Sequence, residues 1–495
     1  MTAMSAPRDI VIRSRLQSMW QVRLSKFSVL VADCLALTLA AFGALVIAVV
    51  ASEHDTWKAW LIGQAAERYW VWLGLATAAL LLFQARYQHY TDRKPFWSEL
   101  GEVLENTALL AVIDLALLSL TRWNSSRLWW LSVWVLVALF IPIGRAMLRR
   151  GLMRRQWWQR PTVLIGTGPN AHEALLALRS EPQLGFEVIG AVASHGQQTP
   201  SSLEALCHEV PRLNTTELER LAQQQAGLQV VLALEHQEAQ TREAWLRLFA
   251  TWRLQDVCVI PALRGIPLFG TDISWFFSHE VALLRLRNNL RRWPARLTKR
   301  LFDMFTASFL LVLLSPVMWV LTMRIRADGG QAVFRHERIG KDGKAFPCFK
   351  FRTMVVDAEQ QLELLLASDP VLREEWERDH KLKNDPRISA VGHFLRRTSL
   401  DELPQLVNVI RGEMSLVGPR PIVQDELAKY GDDVDYFLMV RPGITGLWQV
   451  SGRNDVDYEQ RVYLDTWYVK NWSLWYDIAI LFKTVRVVLR RDGAY

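Results

Sequence analysis

The chain has 495 residues, 51% of them hydrophobic and 22% charged, with a mean hydropathy of +0.06. That length points to about three domains, and the balance excludes both a disordered chain and one made only of membrane helices. With 58 basic and 50 acidic residues the net charge is +8, which implies an anionic partner: nucleic acid, lipid headgroup or phosphorylated metabolite.

In chain order, the basic stretch Met1 to Lys26 contains no apolar run ending in small residues, so no cleavable signal peptide is expected. Apolar stretches follow near 27–50, 69–86, 104–121 and 128–148, each about the length of a spanning helix. The 22 tryptophans suit anchoring at a membrane–water interface. Asp114, inside the third stretch, reads first as a contact with neighbouring helices, with a functional role as the alternative. Basic residues cluster before the first stretch (Arg8, Arg13, Arg15, Arg23, Lys26) and after the fourth (Arg149, Arg150, Arg154, Arg155, Arg160). Both ends of this 1–155 bundle are therefore expected in the cytoplasm. Cys34, Cys207, Cys258 and Cys348 form no CxxC pair, which excludes a disulfide scaffold and fits a reducing compartment.

From Arg160 the pattern changes to short apolar runs alternating with helical ones. Thr162–Ile165, Phe186–Val192, Gln229–Leu234 and Val257–Ile260 read as buried parallel strands of an open α/β sheet over 160–280. Gly166-Thr167-Gly168-Pro169-Asn170-Ala171 follows the first strand and precedes AHEALLALR, the strand–turn–helix setting of a dinucleotide loop. The acid that should hold a ribose at the end of the second strand is absent: the chain has Ser194-His195 there. The expectation is a degenerate Rossmann-like domain with a structural or regulatory role and no bound cofactor.

Residues 281–298 are rich in Arg and contain no acid. With no nucleic-acid-binding module beside them, they read as a basic interfacial linker at anionic lipid rather than a nucleic-acid patch. An apolar helix at 301–323 follows, broken by Ser315-Pro316. Pro316 cannot bond the carbonyl of Val312, and the Ser315 hydroxyl can.

Cations then recur beside turns: Lys350, Arg352, Lys383, Arg387, Arg396, Arg397, Arg411 and Arg420. Guanidinium groups fixed by rigid turns suit phosphate, yet there is no P-loop. In Thr398-Ser399-Leu400-Asp401-Glu402-Leu403-Pro404-Gln405, Pro404 is harmless only in a first helical turn. That register puts Asp401 near the N-cap and Glu402 just inside, at the positive end of a helix. From these residues alone, Asp401 is either an ordinary cap or a carboxylate placed for phosphate chemistry.

Residues 299–495 resemble the monotopic polyprenyl-phosphate phosphoglycosyl transferases, through KRLFD, the Ser315-Pro316 break, FKFRTM, RRTSLDELPQ and SLVGPRP. The whole chain resembles their large members, which start O-antigen and exopolysaccharide synthesis. TDRKPFW (91–97) and the ending VVLRRDGAY look like the galactose-1-phosphate transferases among them. The resemblance implies an α+β membrane protein: a transmembrane four-helix bundle, the degenerate α/β domain, and a catalytic domain at 299–495 whose helix 301–323 re-enters the membrane. It implies that Asp401 attacks a UDP-hexose, galactose favoured over glucose, and that the phospho-sugar passes to undecaprenyl phosphate with release of UMP. Glu402 would help hold Mg²⁺. Arg396 would meet the lipid phosphate, with Arg420 and Lys350 as further phosphate contacts. The inner membrane, an active site on its cytoplasmic face and a homodimer are implied by the same likeness. A nucleotide-sugar oxidoreductase resting on Gly166–Ala171, or a non-catalytic membrane scaffold, are the competing readings.

Overall fold

A computed structural model describes residues 19–51, 66–121, 126–193, 210–224, 227–252, 254, 257–263, 272–275, 282–285, 290, 292–327, 329–368, 373–374, 376, 382, 385–451 and 457–490. Arg8, Arg13, Arg15, Ser194-His195, Arg287, Arg291, Lys383 and the ending at 491–495 lie outside the described residues. Two units are distinguished, Met1–Arg264 and Gly265–Tyr495.

The first unit begins with α1 (Met19–Val50), α2 (Ala66–Ala85), α3 (Phe96–Thr121) and α4 (Arg127–Arg154). Phe27–Val50, α3 and α4 are long and apolar enough to cross a membrane, whereas Tyr69–Ala85 is a shorter apolar helix. Along α1, Ala36, Ala40, Ala44 and Ala48 recur every fourth residue and are buried in one cluster with Val133, Val137 and Ile141 of α4. Small side chains at that spacing let two backbones approach closely, which is how helices pack when lipid competes for their apolar surface. The opposite face of α1 (Leu35, Leu39, Phe42) is exposed. Asp114 makes the expected interhelical contact, accepting from Trp134 Nε1 at 2.9 Å.

A buried charge network lies in the same bundle. Arg145 donates to both oxygens of Asp33 (2.8 and 2.6 Å) and to Glu99 (2.7 Å), while Arg149 also donates to Glu99 (2.5 and 2.6 Å). Tyr90 caps Asp33 at 2.8 Å. Nothing in the sequence pattern had marked Asp33, Glu99 or Arg145 as partners.

The chain continues into β1 (Arg160–Ile165), α5 (Pro169–Ser180), β2 (Phe186–Val192), β3 (Arg212–Leu213), α6 (Thr215–Gln224), β4 (Gln229–Leu232), α7 (Ala239–Thr251) and β5 (Val257–Val259). The five strands are parallel, in the order β3-β2-β1-β4-β5. Along β1, Val163 and Ile165 join one apolar cluster with α6 and α7, while Leu164 joins another with α5. The sheet is therefore covered on both faces, which is why its strands read as continuous apolar runs.

The second unit opens with the antiparallel pair β6 (Asp272–Trp275) and β7 (Ala282–Arg285), followed by α8 (Trp293–Arg326). The expected linker at 281–298 contains β7 and the first turns of α8, with Pro294 in the first helical turn. Through Ser315-Pro316 the helix stays continuous, and the Ser315 hydroxyl donates to Val312 O at 2.7 Å. Both ends of α8 dock on the rest of this unit. Ala307 joins a core with Leu406 and Val409, and Leu321 and Ile325 join another with Phe351 and Leu395. Between them Val312, Leu313, Trp319 and Val320 are exposed.

After α8 come the antiparallel hairpin β8 (Val333–Ile339) and β9 (Ala345–Phe351), then α9 (Ala358–Ser368), α10 (Ala390–Thr398) and α11 (Gln405–Arg411). The parallel pair β10 (Ser415–Val417) and β11 (Gly443–Thr445) brackets α12 (Val434–Leu438). Helices α13 (Leu447–Val450), α14 (Tyr458–Lys470) and α15 (Leu474–Arg490) close the fold.

Candidate active site

Asp401 and Glu402 do not start a long helix, as the Pro404 register had implied. They occupy a 3-10 turn, Leu400–Glu402, and α11 begins three residues later with Pro404 as its N-cap. Two local causes account for the difference. Ser399 ends α10 in the left-handed region (φ 54°), which turns the chain before Asp401. Pro404 offers no N–H, so the preceding turn closes through tighter bonds, Leu403 N to Leu400 O and Glu402 N to Ser399 O. The positive end of a helix is therefore not what acts on this carboxylate pair.

A lysine acts on it instead. Lys350 of β9 donates to Glu402 at 2.7 Å, and its Nζ lies 3.8 Å from Asp401. Asn408 of α11, fully buried, fixes this register by accepting from Phe349 N (3.0 Å) and donating to Pro347 O (2.7 Å). Helix α11 is held in turn by Arg300 of α8, which donates to Val409 O and Ile410 O at its C-terminal end. Burial pushes the Asp401 carboxyl up to about 6, opposed by Lys350 and assisted by the neighbouring Glu402 charge. Burial alone would lower Lys350, but Glu402 and Asp401 more than offset it and hold the amine above its ordinary value. At neutral pH the pair is thus a mostly ionised carboxylate beside a firmly protonated lysine.

Arg396, in the last turn of α10, donates to Thr353 Oγ1 at 3.1 Å. Its approach depends on Gly392, where a Cβ would fall 1.9 Å from Thr353 O, so no larger residue fits between α10 and that strand end. The Arg396 charge also acts on Asp401. Arg420, just past β10, is half-buried with its guanidinium 5.5 Å from the Trp448 ring centroid, and it feels the Glu402 charge. Other cations in the sequence pattern are engaged elsewhere. Arg387 is buried and paired with Asp385 (2.8 and 2.7 Å), and Arg411 is exposed over Phe349. Ser315 and Pro316 are in the middle of α8 and are not part of this cluster. A largely apolar cavity of about 210 Å³ adjoins it, lined by Glu402 and Ser399 together with Leu310, Leu314, Leu406 and Leu481.

A family model described as a bacterial sugar transferase matches residues 294–491, and one described as a CoA-binding domain matches 84–250. Over 413 residues the chain is 51% identical to the UDP-galactose-lipid carrier transferase of Erwinia amylovora, covering 83% of this chain and 86% of that protein. The chain belongs to the bacterial sugar transferase family. Other members include the undecaprenyl-phosphate galactose phosphotransferase of Salmonella typhimurium, 50% identical over 83% of this chain and 86% of that one. The UDP-glucose:undecaprenyl-phosphate glucose-1-phosphate transferase of Escherichia coli is 28% identical over 88% of this chain and 93% of that one. The exopolysaccharide production protein ExoY of Rhizobium meliloti, by contrast, is 50% identical over 200 residues, 40% of this chain and 88% of that one, so the long matches belong to some members and not to all.

The glycine loop of the first unit looks different once its surroundings are known. Gly166 has φ +124°, and a Cβ there would meet Ala233 O at 2.3 Å, so the tight turn expected of the motif is present. Yet the Glu235 carboxylate accepts from Asn170 N at 2.7 Å, at the start of α5. A Cβ on Gly168 would lie 2.6 Å from the same oxygen. The position where a nucleotide's pyrophosphate would approach the helix is thus held by the chain's own anion. Sequence reasoning missed Glu235, 65 positions from its partner Asn170, and only the fold joins them.

Proposed function

We propose that this chain transfers hexose 1-phosphate, galactose in preference to glucose, from a UDP-hexose to undecaprenyl phosphate through a covalent intermediate on Asp401. A carboxylate oxygen of Asp401 attacks the β-phosphorus, and the bond from that phosphorus to the bridging oxygen breaks. UMP leaves with the bridging oxygen, and an aspartyl phospho-sugar remains. An oxygen of the lipid phosphate then attacks the same phosphorus and restores the Asp401 carboxylate, giving undecaprenyl-diphospho-hexose. The observation that carries this reading is the half-buried Asp401 carboxylate adjacent to Glu402, with the Lys350 amine 3.8 Å away. The preference for galactose rests on the names and higher identities of the relatives that carry it.

Among the described residues no cluster of three or more His, Cys, Asp or Glu side chains could cage a metal alone. Two adjacent carboxylates nevertheless fit Mg²⁺, which commonly takes one or two carboxylates together with substrate phosphates. Glu402 would hold it, and when bound the ion supplies charge neutralisation for the diphosphate. Lys350 supplies a fixed positive charge to the same phosphoryl group. Arg396 meets the lipid phosphate, and the adjoining apolar cavity accommodates the first part of the lipid chain. We place the protein in the inner membrane with this site on its cytoplasmic face, α8 entering and leaving on one side. The docking of both α8 ends on the same unit supports that topology.

The 160–280 region is read as a degenerate Rossmann-like domain with a structural role, supported by Glu235 at its phosphate position. Incubation with UDP-galactose or UDP-glucose, Mg²⁺ and undecaprenyl phosphate tests the proposal. Release of UMP coupled to lipid-linked hexose is expected, faster with UDP-galactose. No UMP from either donor overturns it.

A further inference from the structure

Beside the catalytic turn lies a set of buried polar groups that the transfer chemistry above does not use. Arg461 of α14 is only 7% exposed. Its Nη1 comes no nearer than 4.0 Å to Glu426, and its Nε and Nη2 have no hydrogen-bond partner among the described residues. Those two nitrogens form one edge of the guanidinium fork. Elsewhere in this protein the same edge grips a carboxylate, Asp33 in the case of Arg145 and Asp385 in the case of Arg387. Trp448 Nε1 and Tyr458 Oη are also buried without partners among the described residues, and both rings lie against Arg461, at 5.2 and 4.9 Å from its guanidinium carbon. Buried donors left unmet are costly, and in native proteins each calls for a cause such as a bound ion or a catalytic role.

The charges point to the kind of ligand. Arg338 of β8 approaches the same Glu426 at 3.7 Å, so with Arg420 and Arg461 three guanidinium groups act on this one carboxylate. Asp465, next in the cluster, is pushed up to about 7 by burial and contributes only part of a charge at neutral pH. Burial and the nearby Arg461 hold Arg420 below its ordinary value, as expected of two like charges sharing a site. An ester diphosphate brings two negative charges, and a phosphate monoester about 1.5 to 2 at pH 7. Arg420 is also coupled to Glu402, so the set is continuous with the catalytic pair.

We propose that Arg461, with Arg420, binds the nucleotide-side phosphate of the donor and the nucleoside monophosphate it becomes. The Nε/Nη2 edge of Arg461 takes two phosphate oxygens, and the Arg420 guanidinium, like that of Arg461, lies against the Trp448 ring at 5.5 and 5.2 Å from its centroid. Asp401 and Lys350 are left to act on the sugar-side phosphorus. The assignment of this phosphate to a UDP-hexose rests on the function proposed above, whereas the anion site rests on the cluster alone.

The full chain, purified in detergent, is titrated with UMP and with uridine as wild type, Arg461→Met and Arg461→Lys, alongside steady-state kinetics. Loss of a two-pronged charged contact should weaken UMP binding in Arg461→Met by on the order of ten- to a hundredfold. The KM for UDP-hexose should rise with it, uridine binding should not change, and the KM for undecaprenyl phosphate should stay the same. Arg461→Lys keeps the charge without the fork and should recover only part of the loss. Removing an unpaired buried charge should leave the ligand-free thermal midpoint of Arg461→Met unchanged or higher, whereas a merely structural arginine would lower it. UMP affinity within twofold of wild type in folded Arg461→Met overturns the proposal. Should that variant not fold, unchanged affinity in Arg461→Lys does the same. A wild type that fails to bind UMP also overturns it. Arg461-dependent UMP binding without UMP release from either UDP-hexose supports the site and sinks the transfer reading instead.

Discussion

Replacing Asp401 with Asn keeps the shape of the side chain and removes its charge, so it separates two roles of one carboxyl. As nucleophile, Asp401 is not replaced by its neighbour Glu402, which is held by Lys350 at 2.7 Å. UMP release and lipid-linked product should therefore both fall to background. As a buried charge, Asp401 opposes folding. Its side chain is 15% exposed, and its carboxyl rises from 3.8 to about 6 on folding. At about 1.4 kcal/mol per pH unit, the ionised form destabilises the native state by up to about 3 kcal/mol. The amide of Asn still loses some hydration, so a net gain of about 2 kcal/mol is expected, or roughly 4–8 °C in thermal midpoint. For a carboxyl raised on folding, the penalty is absent below 3.8 and complete above about 6. The gain should thus be full at pH 7.5 and shrink as the pH falls from 6 toward 4. UMP measured by chromatography and unfolding followed at several pH values test the two halves separately. Wild-type UMP release by the Asn variant refutes the nucleophile. A thermal midpoint that falls at pH 7.5 refutes the account of the buried charge.

Glu402→Gln should leave the protein folded, weaken the dependence on Mg²⁺ and reduce turnover; an unchanged Mg²⁺ titration would count against Glu402 as a metal ligand. Gly166→Ala should cost stability by roughly 1–3 kcal/mol from its backbone conformation alone, more than Gly168→Ala, whose clash is with the movable Glu235 side chain; equal thermal midpoints contradict this. Arg145→Met strands Asp33 and part of Glu99 in the bundle and should destabilise it by about 3–5 kcal/mol, seen as loss of folded protein in detergent. Pro316→Leu should favour a straight spanning helix and lower activity. Single cysteines just before 299 and just after 326 should label from the cytoplasmic side, and labelling of the second only from the periplasm defeats the re-entrant topology.

Local patterns in the chain already specified a good deal. Apolar length alone marked α1, α3, α4 and α8, because a lipid-facing helix must satisfy its own backbone and cannot alternate polar and apolar positions. The strands β1, β2, β4 and β5 were legible because a sheet covered on both faces leaves no polar alternation. Ser315 bonding to Val312 was readable too, since it depends only on the missing N–H of the next residue. The ordered motifs from KRLFD to SLVGPRP carried the family. What the sequence could not supply were partnerships between distant positions. Lys350 reaches Glu402 across 52 residues, Asn408 ties α11 to β9, and Glu235 takes the phosphate position at Asn170. The Asp401 register also escaped, because the rule for Pro404 is local while the left-handed Ser399 is set by where α10 packs. Periodicity records which face of an element is buried; which charge ends up beside which, and therefore which carboxylate is ionised and which guanidinium lacks a partner, is decided only when the elements close around one another.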